Sequence, residues 1–195
     1  MAKRKKQRIT GSRNFHTPKL IPLLFMIFIL FVSALSLFLS STIFKEHLVL
    51  SEASLWLAMS LLSLFIALVT LHSRMDHVME KVLVPIVIIG SLVCSGTFAL
   101  TTFQLFSDKR NYEDHEFKIS EGVPSEISFD GSKYGEDYIS SITIHGVEIK
   151  VAHLNITRTD YLQELKNKPL KLQYLPHSRF AVAVTLVIEE EVQKQ

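Results

Sequence analysis

The stretch "LKLQYLPHSRFAVAVTLVI", Leu170 to Ile188, decides what kind of protein this is. It follows three long apolar runs, and it reads as a fourth membrane span, as a hydrolase's His177-Ser178 pair, or as the strand hairpin of a small domain. Length settles the first alternative. "FAVAVTLVI", Phe180 to Ile188, is nine residues without a charge, less than half of the roughly 20 that a helical span needs. It is rich in Val, which suits a strand, and its unbroken apolar run predicts burial on both faces. "LKLQYL" before it alternates Leu170, Leu172 and Tyr174 with Lys171 and Gln173. "PHSR" is then the turn, with Pro176 fixing φ and Ser178 able to bond neighbouring backbone. The two strands are expected to form a hairpin, with Tyr174 in the core.

The rest of the chain divides by composition. Of 195 residues, 48% are hydrophobic and the mean hydropathy is +0.26, so part of the chain uses lipid as its solvent. Three segments carry no charge: Leu20 to Phe44, Ala53 to His72, and Val82 to Ser107. As helices of 20 to 26 residues they reach roughly 30 to 39 Å, enough to cross a hydrocarbon core of about 30 Å. The fold class expected is therefore membrane α-helical, with three transmembrane helices (20–44, 53–72, 82–107), plus a small C-terminal α+β or β-barrel-like domain over 108–195. Residues 1–19 form a basic tail. The first apolar run is too long for a signal peptide's core and lacks a small-x-small cleavage site, so it is expected to remain in the mature protein.

Basic residues set the expected orientation. Lys3, Arg4, Lys5, Lys6, Arg8, Arg13 and Lys19 precede the first helix with no acidic residue before Glu46, which puts the N-terminus in the cytoplasm. Lys45 alone lies in the first loop, whereas Arg74 and Lys81 lie in the second, and three crossings put the C-terminal domain outside. The tail "MAKRKKQR" is expected to attract anionic lipid headgroups rather than nucleic acid. Localisation follows as a multi-pass protein of the cell membrane.

No Asp, Glu, Lys or Arg lies within the three uncharged runs, and Glu52 and His72 fall at their edges. Intramembrane charges mark ion paths and proton relays, so nothing here points to an ion-coupled transporter. Ser91, Ser95 and Ala99 recur every four residues, a ridge on which another helix can approach closely. Ser63 and Ala67 form a shorter one. This predicts a compact three-helix bundle, or a homo-oligomer or membrane-protein partner on the same ridge. Pro22 and Pro85 are placed in first turns, where a missing N–H does no harm. Trp56, Phe103 and Phe106 are placed at the outer interface, and Phe25, Phe28, Phe31 and Phe38 toward lipid.

From Ser107 onward, 89 residues carry 11 basic and 15 acidic side chains, and the pattern turns to alternation. Strands are predicted over 116–120, 126–130, 138–145 and 147–153, and a short helix over 157–168. The lone cysteine, Cys94, falls in the third helix, so the domain folds without disulfides, as in an exported bacterial protein of Gram-positive type. Asn155-Ile156-Thr157 is a sequon by pattern only.

The closing element "KPLKLQYLPHSRFAV" resembles one found in uncharacterised small Gram-positive multi-spanning membrane proteins, where a Tyr-x-Pro-x-Ser turn joins the last two strands of a β domain. The resemblance implies an OB-type barrel and transfers no activity to Tyr174, Pro176, His177 or Ser178.

Adjacent His177 and Ser178 point different ways in a turn, no third group is evident, and no G-x-S-x-G elbow occurs. "DGSKYGEDY", Asp130 to Tyr138, fails as a calcium loop because Tyr134 and Ser141 stand where oxygen ligands are required. His145 and His153 take opposite faces by alternation, and His115 and His177 lack companions at metal-binding spacing. No catalytic, cofactor-binding or metal residue is assigned. The expected function is non-enzymatic: a helical anchor presenting a small binding or interaction domain. The alternative is an accessory subunit of a membrane enzyme or transport complex.

Overall fold

The computed structural model describes residues 20–72, 78–131 and 135–187. The basic tail, Arg74 and the middle of the Asp130–Tyr138 loop lie outside them. Three helices come first: α1 (Leu20–Ser41), α2 (Leu48–His72) and α3 (Val78–Glu113). All three are long and apolar enough to cross a membrane.

Their packing departs from a compact bundle. α1 and α3 each pack along α2, but they make almost no contact with each other. The result is an open layer with α2 in the middle, held by serines at points where backbones approach. Ser33 Oγ donates to the Ala58 carbonyl at 3.0 Å, and the Ser40 and Ser51 hydroxyls bond across α1 and α2. Ser60 and Ser95 donate to each other's carbonyls, each at 3.0 Å. Ser95 therefore turns its hydroxyl to α2, while Ala99 is exposed and Ser91 half-buried. The phenylalanines at 25, 28, 31 and 38 are all more than half exposed, as expected for lipid-facing bulk.

Two helices are longer than the uncharged runs indicate. α2 begins at Leu48, so Glu52 lies within its second turn. α3 begins at Val78, which makes Pro85 an interior residue and leaves the carbonyl four positions earlier without a helical donor. α3 also continues past Ser107 to Glu113. At 1.5 Å per residue its 36 residues span about 54 Å against a bilayer core of about 30 Å. The polar extension is supported by Lys109–Glu113 and Arg110–Asp114 pairs at i,i+4 spacing.

The C-terminal domain has two three-stranded antiparallel sheets, in orders β1-β5-β6 and β2-β3-β4. The strands are β1 (Lys118–Gly122), β2 (Glu126–Asp130), β3 (Tyr138–Ile144), β4 (Val147–Lys150), β5 (Leu170–Tyr174) and β6 (Ala181–Leu186). His145 and Gly146 close the β3–β4 hairpin with φ of 51° and 75°, the left-handed pair that a tight hairpin turn of matching twist requires. A 3₁₀ turn, Ala152–Leu154, follows β4, so His153 lies on a turn and not on a strand face as alternation predicts. The short helix α4 (Arg158–Asp160) runs on as a π turn over Tyr161–Leu165. It starts at a reciprocal capping box between Thr157 and Asp160. A bridge between Lys150 and Phe180 joins the two sheets along one edge.

Ile139, Ile142, Ile144, Ile149 and Val151 from one sheet meet Leu170, Leu172, Tyr174 and Ala181 from the other in the core. Each such Ile or Leu contributes roughly 1.5 to 3 kcal/mol by its burial. β5 and β6 do form the expected hairpin, but β6 is not buried on both faces. It is an edge strand: Val182 to Val184 are half-buried, and Thr185 and Leu186 are exposed. Only Phe180 and Ala181 at its start are fully enclosed.

Candidate functional site

The residues that join helices to domain explain the turn. The α3 extension carries Asp108 beneath "PHSR", and its carboxylate is fully buried. Ser178 donates to Asp108 Oδ2 twice, from N at 2.7 Å and from Oγ at 2.6 Å. The His177 N–H bonds both carboxylate oxygens at 3.1 and 3.2 Å, and Asn111 Nδ2 donates to Oδ1 at 3.4 Å. His177's side chain is exposed while Ser178 is buried. The hydroxyl's proton is thus committed to the Asp108 carboxylate and not to the His177 ring. Around this clamp Val49, Ala53 and Leu105 pack against Leu175 and Phe180, with Trp56, Tyr112, Phe117 and Val182 at the margin. Helices and domain therefore share a core.

Beside that junction lies a cleft of about 560 Å³. Glu52, Leu55 and Trp56 from α2 form one wall. Asp130, Tyr138, Ser140 and Ser141 of β2 and β3, Glu148 and Lys150 of β4, and His153 and Asn155 of the following turn form the other, with Phe180 between them. The i,i+4 spacing of Glu52 and Trp56 puts both on one helix face, and the indole Nε1 donates to Glu52 Oε2 at 3.1 Å. Lys150 Nζ lies 5.0 Å from the Phe180 ring centroid and 5.8 Å from that of Trp56, a cation–π seat on two aromatic rings. Burial pushes the Lys150 ammonium below its ordinary value, against the pull of nearby Glu148.

His153 is the second unusual group. Its Nε2 bonds the Ala181 carbonyl at 2.8 Å, which fixes Nε2 as the protonated nitrogen. Nδ1 is then a buried acceptor with no partner among the described residues. Burial lowers the imidazole's pKa below 6.5, outweighing the carbonyl bond that favours the charged form, and the ring lies 5.6 Å from Phe180. A buried acceptor without a donor is uncommon. Three carboxylates and one ammonium line the cleft, so its field is acidic on balance.

A smaller recess of about 260 Å³ lies between the α1–α2 turn and the end of α3, lined by His47, Lys109, Glu113 and His115 among others. Among the described residues no three His, Cys, Asp or Glu side chains converge as a metal group would require. Phe103 and Phe106 are exposed at the domain end of α3, but Trp56 packs under the domain and against Phe98, 5.4 Å away, instead of joining a lipid-facing belt. No protein-family model, curated protein or solved structure matches the chain.

Proposed function

We propose that this is a non-enzymatic, multi-pass protein of the cell membrane whose working surface is the cleft shared by α2 and the C-terminal domain. The observation that carries this reading is a cleft that sets Glu52 and Trp56 of α2 opposite Lys150 and His153 of the domain. Binding rather than turnover is favoured because Glu52 is held by the Trp56 indole, Asp130 by the Tyr138 hydroxyl, and Lys150 over two aromatic rings. The seven positive charges before the first helix favour a cytoplasmic N-terminus and an outward-facing domain. The cleft then lies at the outer headgroup layer.

The test is chemical labelling of one cleft position. Asn155 is exposed at the cleft rim, so Asn155→Cys in a Cys94→Ser background gives a single thiol. An impermeant maleimide applied to intact cells is expected to label it, and the labelling rate should rise once membrane lipids and bound ligands are stripped in detergent. Labelling only after permeabilisation would overturn the orientation. A rate indifferent to stripping would overturn the cleft as a binding surface.

A further inference from the structure

Resting on the reading of the cleft as a binding site, we propose that its ligand is a glycosylated amphiphile, with a neutral sugar head in the cleft and an acyl chain along α2. The evidence for an acyl chain is continuity. Leu55 lines the cleft and also begins an uncovered stripe on α2 that continues through Met59, Leu62 and Ile66, each between 36% and 44% exposed. The steps of four, three and four residues keep these side chains on one helix face. From Leu55 to Ile66 the stripe runs about 16 Å at 1.5 Å per residue, matching half of a hydrocarbon core of about 30 Å. One acyl chain of one leaflet covers that distance, and the cleft sits where its head would be.

The head's chemistry follows from what the cleft offers. Glu52, Asp130 and Glu148 supply carboxylate acceptors along its walls. Hydroxyl donors satisfy all of these. A bare phosphate brings acceptors and a negative charge to a site already acidic. An ammonium head is disfavoured for a different reason: the cation seat on Phe180 and Trp56 is filled by Lys150. A hexose donates to the carboxylates and accepts from the Lys150 ammonium.

The chain carries its own reporter, because Trp56 is its single tryptophan. Full-length protein in phosphatidylcholine nanodiscs is titrated separately with monoglucosyl diacylglycerol, phosphatidic acid, phosphatidylethanolamine and free glucose, and Trp56 emission is read. The expected result is a saturable change with the glucosyl lipid alone. Its midpoint should shift about tenfold or more in Glu52→Gln, since a hydrogen bond to a charged group is lost, and in the same direction in Glu148→Gln. Glu148 is exposed, so that variant keeps the fold. A response to phosphatidic acid or phosphatidylethanolamine instead overturns the sugar head while leaving the cleft a binding site. A response to free glucose at the same concentration overturns the acyl-chain component. Silence with every probe overturns the ligand class, and the labelling of Asn155→Cys then decides separately whether the cleft binds anything.

Discussion

Replacing Asp108 by alanine removes the one acceptor shared by the Ser178 N–H, the Ser178 hydroxyl and the His177 N–H. The Ser178 pair is buried, and stranding such donors costs about 1 to 3 kcal/mol each. His177 is exposed, so water replaces much of its bond. Removing a fully desolvated carboxylate returns part of the loss, which leaves a net destabilisation of about 2 to 4 kcal/mol in the docking of the hairpin onto α3. Trp56 reads this directly, because its ring centroid is 6.5 Å from that of Phe180, the first residue after the turn. In a thermal melt of the full chain followed by Trp56 emission, the transition should fall by upwards of about 8 °C, at roughly 4 °C or more per kcal/mol for a domain of this size. Asp108→Asn retains one acceptor oxygen but aims an amide N–H₂ at the remaining donors, and should fall between the two. Ser178→Ala loses only the hydroxyl bond, about 1.5 to 3 kcal/mol, and the double variant should lie near Asp108→Ala alone because both changes remove one network. A shift below about 2 °C in Asp108→Ala, or additive losses in the double variant, would refute the clamp.

Three further outcomes are expected. Gly146→Ala meets no atom within 4 Å yet must hold a φ of 75°, so it should cost about 1 to 2 kcal/mol of purely conformational origin, measurable as a lower transition with unchanged near-ultraviolet circular dichroism. His153 binds fewer protons folded than unfolded between its lowered pKa and 6.5, so stability should decline as pH falls below 6.5 and into that window. Glu52, Asp130, Glu148 and Lys150 face the same cleft, and the decline should flatten in His153→Phe when melts at about pH 7.5 and 5 are compared. Ser60→Ala and Ser95→Ala each break the reciprocal bond between α2 and α3, with an expected cost of about 0.6 kcal/mol and at most about 1.7, checked by the same melts in detergent.

The helices were readable because lipid imposes a simple rule, runs of 20 or more residues free of charge. Their ends were not, because the polar continuation from Asp108 to Glu113 follows helical periodicity without hydrophobicity. Lys109–Glu113 and Arg110–Asp114 carry that signal at i,i+4. The hairpin was readable from nine charge-free residues, too few to span. That β6 is an edge strand was not, since sequence pattern does not say which strand lies in the middle of a sheet. The cleft was invisible for a more general reason. Glu52 and Trp56 stand roughly a hundred positions before Lys150 and His153, and only the docking of the hairpin turn brings them together. The i,i+4 pairing of Glu52 with Trp56 at the start of a membrane helix was the one local hint.

Phe180 connects the helix–domain junction to the cleft. It belongs to the core shared with α2 and α3, and it also lines the cleft, seats Lys150 and packs by His153. A domain that only needed to be tethered would be served by a short polar linker. Here a buried carboxylate is spent instead on two backbone N–H groups and a hydroxyl in the turn just before Phe180. Buried polar groups of this kind contribute little net stability compared with apolar packing, and their best-attested use is to specify register. Fixing the turn on Asp108 fixes Phe180, and fixing Phe180 sets the separation between the Trp56 wall and the Lys150 wall. On the proposed reading the clamp holds the cleft's width, and loosening it in Ser178→Ala is expected to weaken binding of the proposed ligand more than a loss of stability alone explains.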